Sequence, residues 1–156
     1  MRFSKLLAVA LASVPVLASA ADVNSSFIVR ATVVPACSVT ATDVTVASYD
    51  PNAAAPTTAT STVNVTCTKG TTFHTTLSSA NKFQLTGAGT DTLSYQIFQG
   101  SGTTGTIWAN ASTSNQFSGT AKNKNATALT ATVAIDAGQD VLAGTYSDTV
   151  TVNVNY

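Results

Sequence analysis

Glutamate is absent from this 156-residue chain, and histidine, tryptophan and methionine occur once each. Without glutamate a calcium loop lacks its closing bidentate ligand, and the seven aspartates show no repeated spacing that would build one. No serine stands in a Gly-x-Ser-x-Gly turn, so the nucleophile elbow of a hydrolase is missing. His74 sits between Phe73 and Thr75 in an alternating run and faces away from Phe73. It reads as an exposed polar-face residue rather than a catalytic base. Gly87-x-Gly89 and Gly100-x-Gly102 lack the strand-to-helix setting of a phosphate loop. The expectation is a protein with no catalytic residues, no metal ligands and no cofactor.

Charge is scarce as well. Seven basic residues balance seven acidic ones, and two of the basic residues, Arg2 and Lys5, lie at the very start. The other five, Arg30, Lys69, Lys82, Lys122 and Lys124, form no patch that could hold a phosphate backbone, which argues against nucleic acid as a partner. No basic amphipathic helix points to a membrane surface. The one long apolar run, Leu6–Leu17, is shorter than the roughly 20 residues needed to span a bilayer. Flanked by Arg2 and Lys5 and by Ala18-Ser19-Ala20, it reads as an export signal over residues 1–20, cut after Ala20 or Ala21. The predicted product is a soluble, exported chain of 136 residues (156 − 20) with no membrane insertion, enough for one domain. Helix formers are few beyond the signal, and no repeat, heptad or linker is visible.

Threonine dominates what is present, 28 of 156 residues, alongside many Ser, Asn, Val and Gly. Thr and Val favour strands, while Gly, Ser and Asn serve turns, so the fold class is all-β. Side chains alternate between faces of a strand. Over residues 146–156, Tyr146, Val150, Val152, Val154 and Tyr156 form one face, broken only by Asp148, and hydroxyl or amide residues form the other. Near the mature start, Phe27, Val29, Ala31 and Val33 alternate with Ile28, Arg30, Thr32 and Val34; Arg30 and Thr32 mark the outer face. Pro35 interrupts this run, and Ala36–Val39 restarts a strand. An alternating strand at each end suggests a subunit completed by its neighbour, although the first strand could instead pair within its own domain.

Between the ends, residues 50–60 read as a loop. Strands are expected over Thr62–Thr68, around Phe73–Leu77, over Lys82–Leu85, around Leu93–Ile97 and over Leu129–Ile135. Ile107-Trp108 and Gln116–Thr120 read as short edge segments. Seven or eight short strands at this spacing fit a two-sheet sandwich. Trp108 suits a partly buried packing role, with stacking on a sugar as the alternative. Four Asn-x-Ser/Thr sequons begin at Asn24, Asn64, Asn110 and Asn125, as composition alone would produce. Cys37 and Cys67, an isolated pair in an exported chain, point to a disulfide joining neighbouring strands. A redox pair or part of a metal site are the rival readings.

Ala36-Cys37-Ser38-Val39, Leu93-Ser-Tyr95-Gln-Ile-Phe98, Ile107-Trp108 and, most specifically, Gly144-Thr-Tyr-Ser-Asp-Thr-Val-Thr-Val152 resemble the spore coat protein U domain family. This family includes the subunits of archaic chaperone–usher pili of the Csu type, and the resemblance covers nearly the whole mature chain. It implies an immunoglobulin-like sandwich without its last strand, filled first by a periplasmic chaperone and then by the N-terminal extension of the next pilin, with an outer-membrane usher guiding assembly. On this resemblance, residues 21–35 are the donor extension, with Phe27, Val29, Ala31 and Val33 inserted. Residues 36–156 are the domain, and Tyr146, Val150, Val152 and Val154 border the acceptor groove beside the strand after Cys37. The implied function is a structural subunit of a surface pilus supporting adhesion and biofilm. The alternatives are a non-pilus surface or coat protein of the same family, and a sugar- or surface-binding adhesin, for which a longer chain without a donor strand is expected.

Overall fold

The alternating runs become eight strands in a computed structural model that describes residues 21–46, 48–87, 89–108 and 115–156. The proposed export signal and the Asn110 sequon lie outside the described residues. The strands are β1 (Cys37–Ala41), β2 (Thr57–Cys67), β3 (Thr72–Ser79), β4 (Gln84–Thr86), β5 (Thr92–Gln99), β6 (Phe117–Thr120), β7 (Thr127–Ile135) and β8 (Val150–Asn155). There is no helix among the described residues. Residues 21–36 carry no helix or strand, and Phe27, Val29 and Val33 in that stretch are exposed.

Within residues 33–156 the strands form a five-stranded sheet in the order β1-β2-β7-β5-β4 and a three-stranded sheet in the order β6-β3-β8, with every pairing antiparallel. One face of each strand packs between the sheets. Val63, Val65 and Cys67 of β2, Phe73 and Leu77 of β3, Leu93, Tyr95 and Ile97 of β5, and Leu129, Ala131 and Ile135 of β7 make the core. Each buried Val, Leu, Ile or Phe contributes about 1.5–3 kcal/mol by leaving water.

Two boundary expectations are corrected. The loop over 50–60 is shorter than expected, because β2 begins at Thr57, with Thr57 opposite Ile135 of β7. Pro56 stands just before the first strand residue, where its missing N–H removes no ladder bond, so the proline-containing stretch hides a strand start. The strand expected over Lys82–Leu85 begins only at Gln84, because Lys82 and Phe83 turn with φ of 56° and 61°. Left-handed backbone is uncommon for side-chain-bearing residues. Here the Ser79 hydroxyl oxygen holds the turn by accepting the amides of Asn81 and Phe83 at 3.1 and 2.7 Å.

Trp108 also departs from the edge placement. It is 1 % exposed and donates its indole N–H to the Thr75 carbonyl at 3.1 Å. Ile107, beside it, bridges Phe98 and stays at the surface. The indole is therefore a core plug, and sugar stacking is not open to it. His74 stands on the polar face of β3, as expected, with Nδ1 2.8 Å from the Ser118 hydroxyl of β6.

Candidate functional site

Cys37 and Cys67 face each other directly in the β1–β2 register and form a disulfide, with S–S 2.01 Å. Both cysteines are bonded to each other, which leaves neither thiol free to hold a metal. The bond fixes β1 to the rim of the five-stranded sheet.

Beyond that rim the sandwich is open. A groove of about 710 Å³ runs between the sheets, walled by the Ala41–Val46 segment on one side and by residues 144–152 on the other. Its floor is apolar: Leu77, Leu93, Ile97 and Ala131 line it, with the Tyr95 ring among them. β1 and β8 come close to each other, and Ala41 of β1 and Val150 and Val152 of β8 line the groove.

Hydrogen-bond parity shows which backbone groups face the opening. In an antiparallel pair, a residue that bonds its partner alternates with one that turns its N–H and C=O away. The Ala80 amide donates to the Thr149 carbonyl at 3.0 Å, so the odd-numbered residues of β8 serve β3. The backbone groups of Val150, Val152 and Val154 therefore point to the free edge. On the other rim, the Thr68 amide donates to Ala36 at 2.9 Å and the Thr42 amide to Thr62 at 3.1 Å. These bonds commit the even-numbered residues of β1 to β2 and leave Cys37, Val39 and Ala41 facing outward. Among the described residues the groove thus has a free ladder on each rim, with an apolar floor between them. Exposed edges of this kind pair readily with another chain.

The expected rim residues separate into two groups. Val150, Val152 and Val154 lie on β8 and alternate half-buried with exposed Thr151, Asn153 and Asn155. Tyr146 lines the groove but falls outside the strand, and its hydroxyl donates to the Leu142 carbonyl at 2.7 Å. The long strand expected from residue 146 is shorter because Ser147 leaves β3 and pairs with Thr86 instead, with reciprocal amide-to-carbonyl bonds of 2.9 Å. Gly87 allows that approach, since a Cβ there would run into the Thr145 carbonyl. This bridge closes one end of the groove. Beside it, Asp148 accepts the Tyr95 hydroxyl at 2.6 Å, the Ser79 hydroxyl, and the amides of Asn81 and Thr149 at 3.2 and 2.7 Å. Burial, then the bond to Asp148, pushes the Tyr95 phenol well above its ordinary range. Sequence reasoning registered Asp148 only as a break in the pattern. Its signal was a carboxylate on an apolar face, which must find partners when the face is covered.

An all-β, immunoglobulin-like sandwich with an unfilled interstrand groove is the class of protein these features define. The chain belongs to the Spore Coat Protein U domain family, whose model matches residues 23–153. Among solved structures it is similar to a chain in the crystal structure of the CsuC–CsuE chaperone–tip adhesion subunit pre-assembly complex from archaic chaperone–usher Csu pili of Acinetobacter baumannii. Identity is 27 % and the TM-score 0.59, over 80 % of this chain and 41 % of that one. This chain therefore spans less than half the length of that one. No curated protein matches the sequence.

Proposed function

We propose that this chain is a structural subunit of a bacterial surface pilus, exported through the periplasm and assembled by strand exchange on a chaperone–usher pathway. The observation that carries this reading is the groove, with backbone ladders free on both rims and apolar side chains between them. Its occupant in the fibre is a second copy of the chain, or a related pilin, through residues 21–35, whose alternation suits an inserted strand. Phe27, Val29, Ala31 and Val33 would enter the groove, and burying the three larger of these contributes on the order of 5–8 kcal/mol. Main-chain bonds to the rims add to that. Each contact passes one subunit's end into the next and does not close, so the product is a fibre.

The solved relative is a chaperone-bound complex from a chaperone–usher pilus, which supports a periplasmic chaperone as the first occupant and an outer-membrane usher as the assembly platform. The role at the cell surface is adhesion and biofilm formation rather than catalysis. The test is electron microscopy of sheared surface material from cells producing this chain with its chaperone and usher. Fibres are expected from the full chain. They should be lost on deletion of residues 21–34, which leaves the groove but removes its occupant. Fibres of normal length from the truncated chain would overturn the donor role.

A further inference from the structure

A strand entering this groove meets a problem of register. Slipping by two residues keeps every side chain on its proper face, so alternation alone does not choose between registers two apart. The inward positions of the rim chain read Asp148, Val150, Val152, Val154: one carboxylate followed by three valines. Among the described residues lining the groove, only Asp43 and Asp148 are charged, and Asp43 is exposed. Asp148 is half-buried. Its Oδ2 accepts Ser79 and Tyr95, and its Oδ1 accepts the amides of Asn81 and Thr149. Three of these partners come from β3, β5 and the turn after β3, so the carboxylate is held in place by both sheets.

We propose that Asp148 is the register stop of the groove: it excludes the apolar row of the inserted strand from its own layer and so selects one register among those two residues apart. The inference rests on the proposed strand exchange. Its physical basis is that an apolar side chain seated on Asp148 would strip water from a polar group and give no hydrogen bond in return. Such a slip is disfavoured by at least about tenfold, on the order of 1.4 kcal/mol. A slip that leaves the carboxylate facing water or a hydroxyl carries no such cost. Among the inward positions of the donor, Ser25 flanks the apolar row Phe27, Val29, Ala31 and Val33. Asp148 marks where apolar contact must end.

The test reads register in fibres of the full chain. Arg30→Cys places a thiol on the outward face of the donor, and Thr149→Cys, Thr151→Cys or Asn153→Cys places one on the outward face of the acceptor strand. Each double variant is assembled and run without reductant, where a subunit-to-subunit disulfide gives a ladder of covalent multimers. One of the three pairs should dominate by at least about tenfold. Adding Asp148→Val should spread the ladder over neighbouring pairs. If that subunit fails to fold, Ser25→Val with Val33→Ser leaves the acceptor intact and moves the apolar row by two residues. The dominant pair should then move by two residues as well. Comparable ladders at all three positions with Asp148 present would overturn the proposal. So would a dominant pair that ignores both changes. Absence of fibres and of every ladder would instead bring down the strand-exchange reading, and the register stop with it.

Discussion

The hydroxyl of Tyr95 and the carboxylate of Asp148 meet at 2.6 Å across the interior, tying β5 of the larger sheet to the chain entering β8 of the smaller one. The Tyr95 side chain is buried among apolar neighbours. Burial, reinforced by the hydrogen bond and by the nearby negative charge, raises its pKa well above the usual value of about 10.

A pH dependence follows from this pair. Below about pH 10 the phenol is protonated in folded and unfolded chains alike, and its contribution is fully present. Above that value the unfolded chain releases the proton while the folded chain keeps it, so stability falls as pH rises. Thermal unfolding from pH 8 to 12 should show a steeper alkaline loss for wild type than for Tyr95→Phe. Parallel profiles would mean the phenol is not held in this way.

Thr75 is fully buried, and its hydroxyl has no partner among the described residues. Its carbonyl, not its side chain, receives the Trp108 indole. Thr75→Val removes the unpaired hydroxyl at similar volume and should raise stability by about 1–3 kcal/mol, the penalty for such a buried group. Denaturant unfolding checks this, and a loss of stability would reveal an unseen partner for the hydroxyl.

Cys37→Ser should destabilise the domain by roughly 3–4 kcal/mol on the chain-entropy account, given a sequence separation of 30 between the bridged cysteines. The measurement is the denaturant midpoint of the purified variant beside wild type. The same shift should appear in wild type unfolded with reductant. Yield from the periplasm should drop more than the behaviour of fibres already formed.

Much of this was legible from residue alternation. Val150, Val152 and Val154, and likewise Leu93, Tyr95 and Ile97, read directly as inward faces because strand side chains repeat every two residues. The disulfide was legible for another reason, two lone cysteines in a chain read as exported, while their direct opposition was not. What local pattern could not carry was long-range pairing. Asp148 finds Ser79 and Tyr95 at separations of 69 and 53 residues, and no window around residue 148 contains them. Trp108 was placed too near the surface because its flanking segment is short. Its burial is decided by β3 passing beneath it, not by its own neighbours in sequence.

The facing assigned to the donor segment has its own test. Val29→Asp would put a charge into the apolar groove, where burial without a partner costs several kcal/mol. Thr32→Asp changes the other face and should be nearly neutral, as most surface substitutions are. Fibre assembly should fail for the first and persist for the second, while both subunits still accumulate with the chaperone. Equal behaviour would refute the assignment of Phe27, Val29, Ala31 and Val33 to the groove.

The Cys37–Cys67 bond has a consequence beyond stability. β1 is the strand of this domain that lies across from the unpaired rim of β8, and swinging over would let the molecule saturate its own edge. A covalent tether to β2, its neighbour in the larger sheet, forbids that move. On the strand-exchange reading, the staple acts as a guard against self-occlusion, keeping the chain reactive toward a visitor by denying it the nearest substitute.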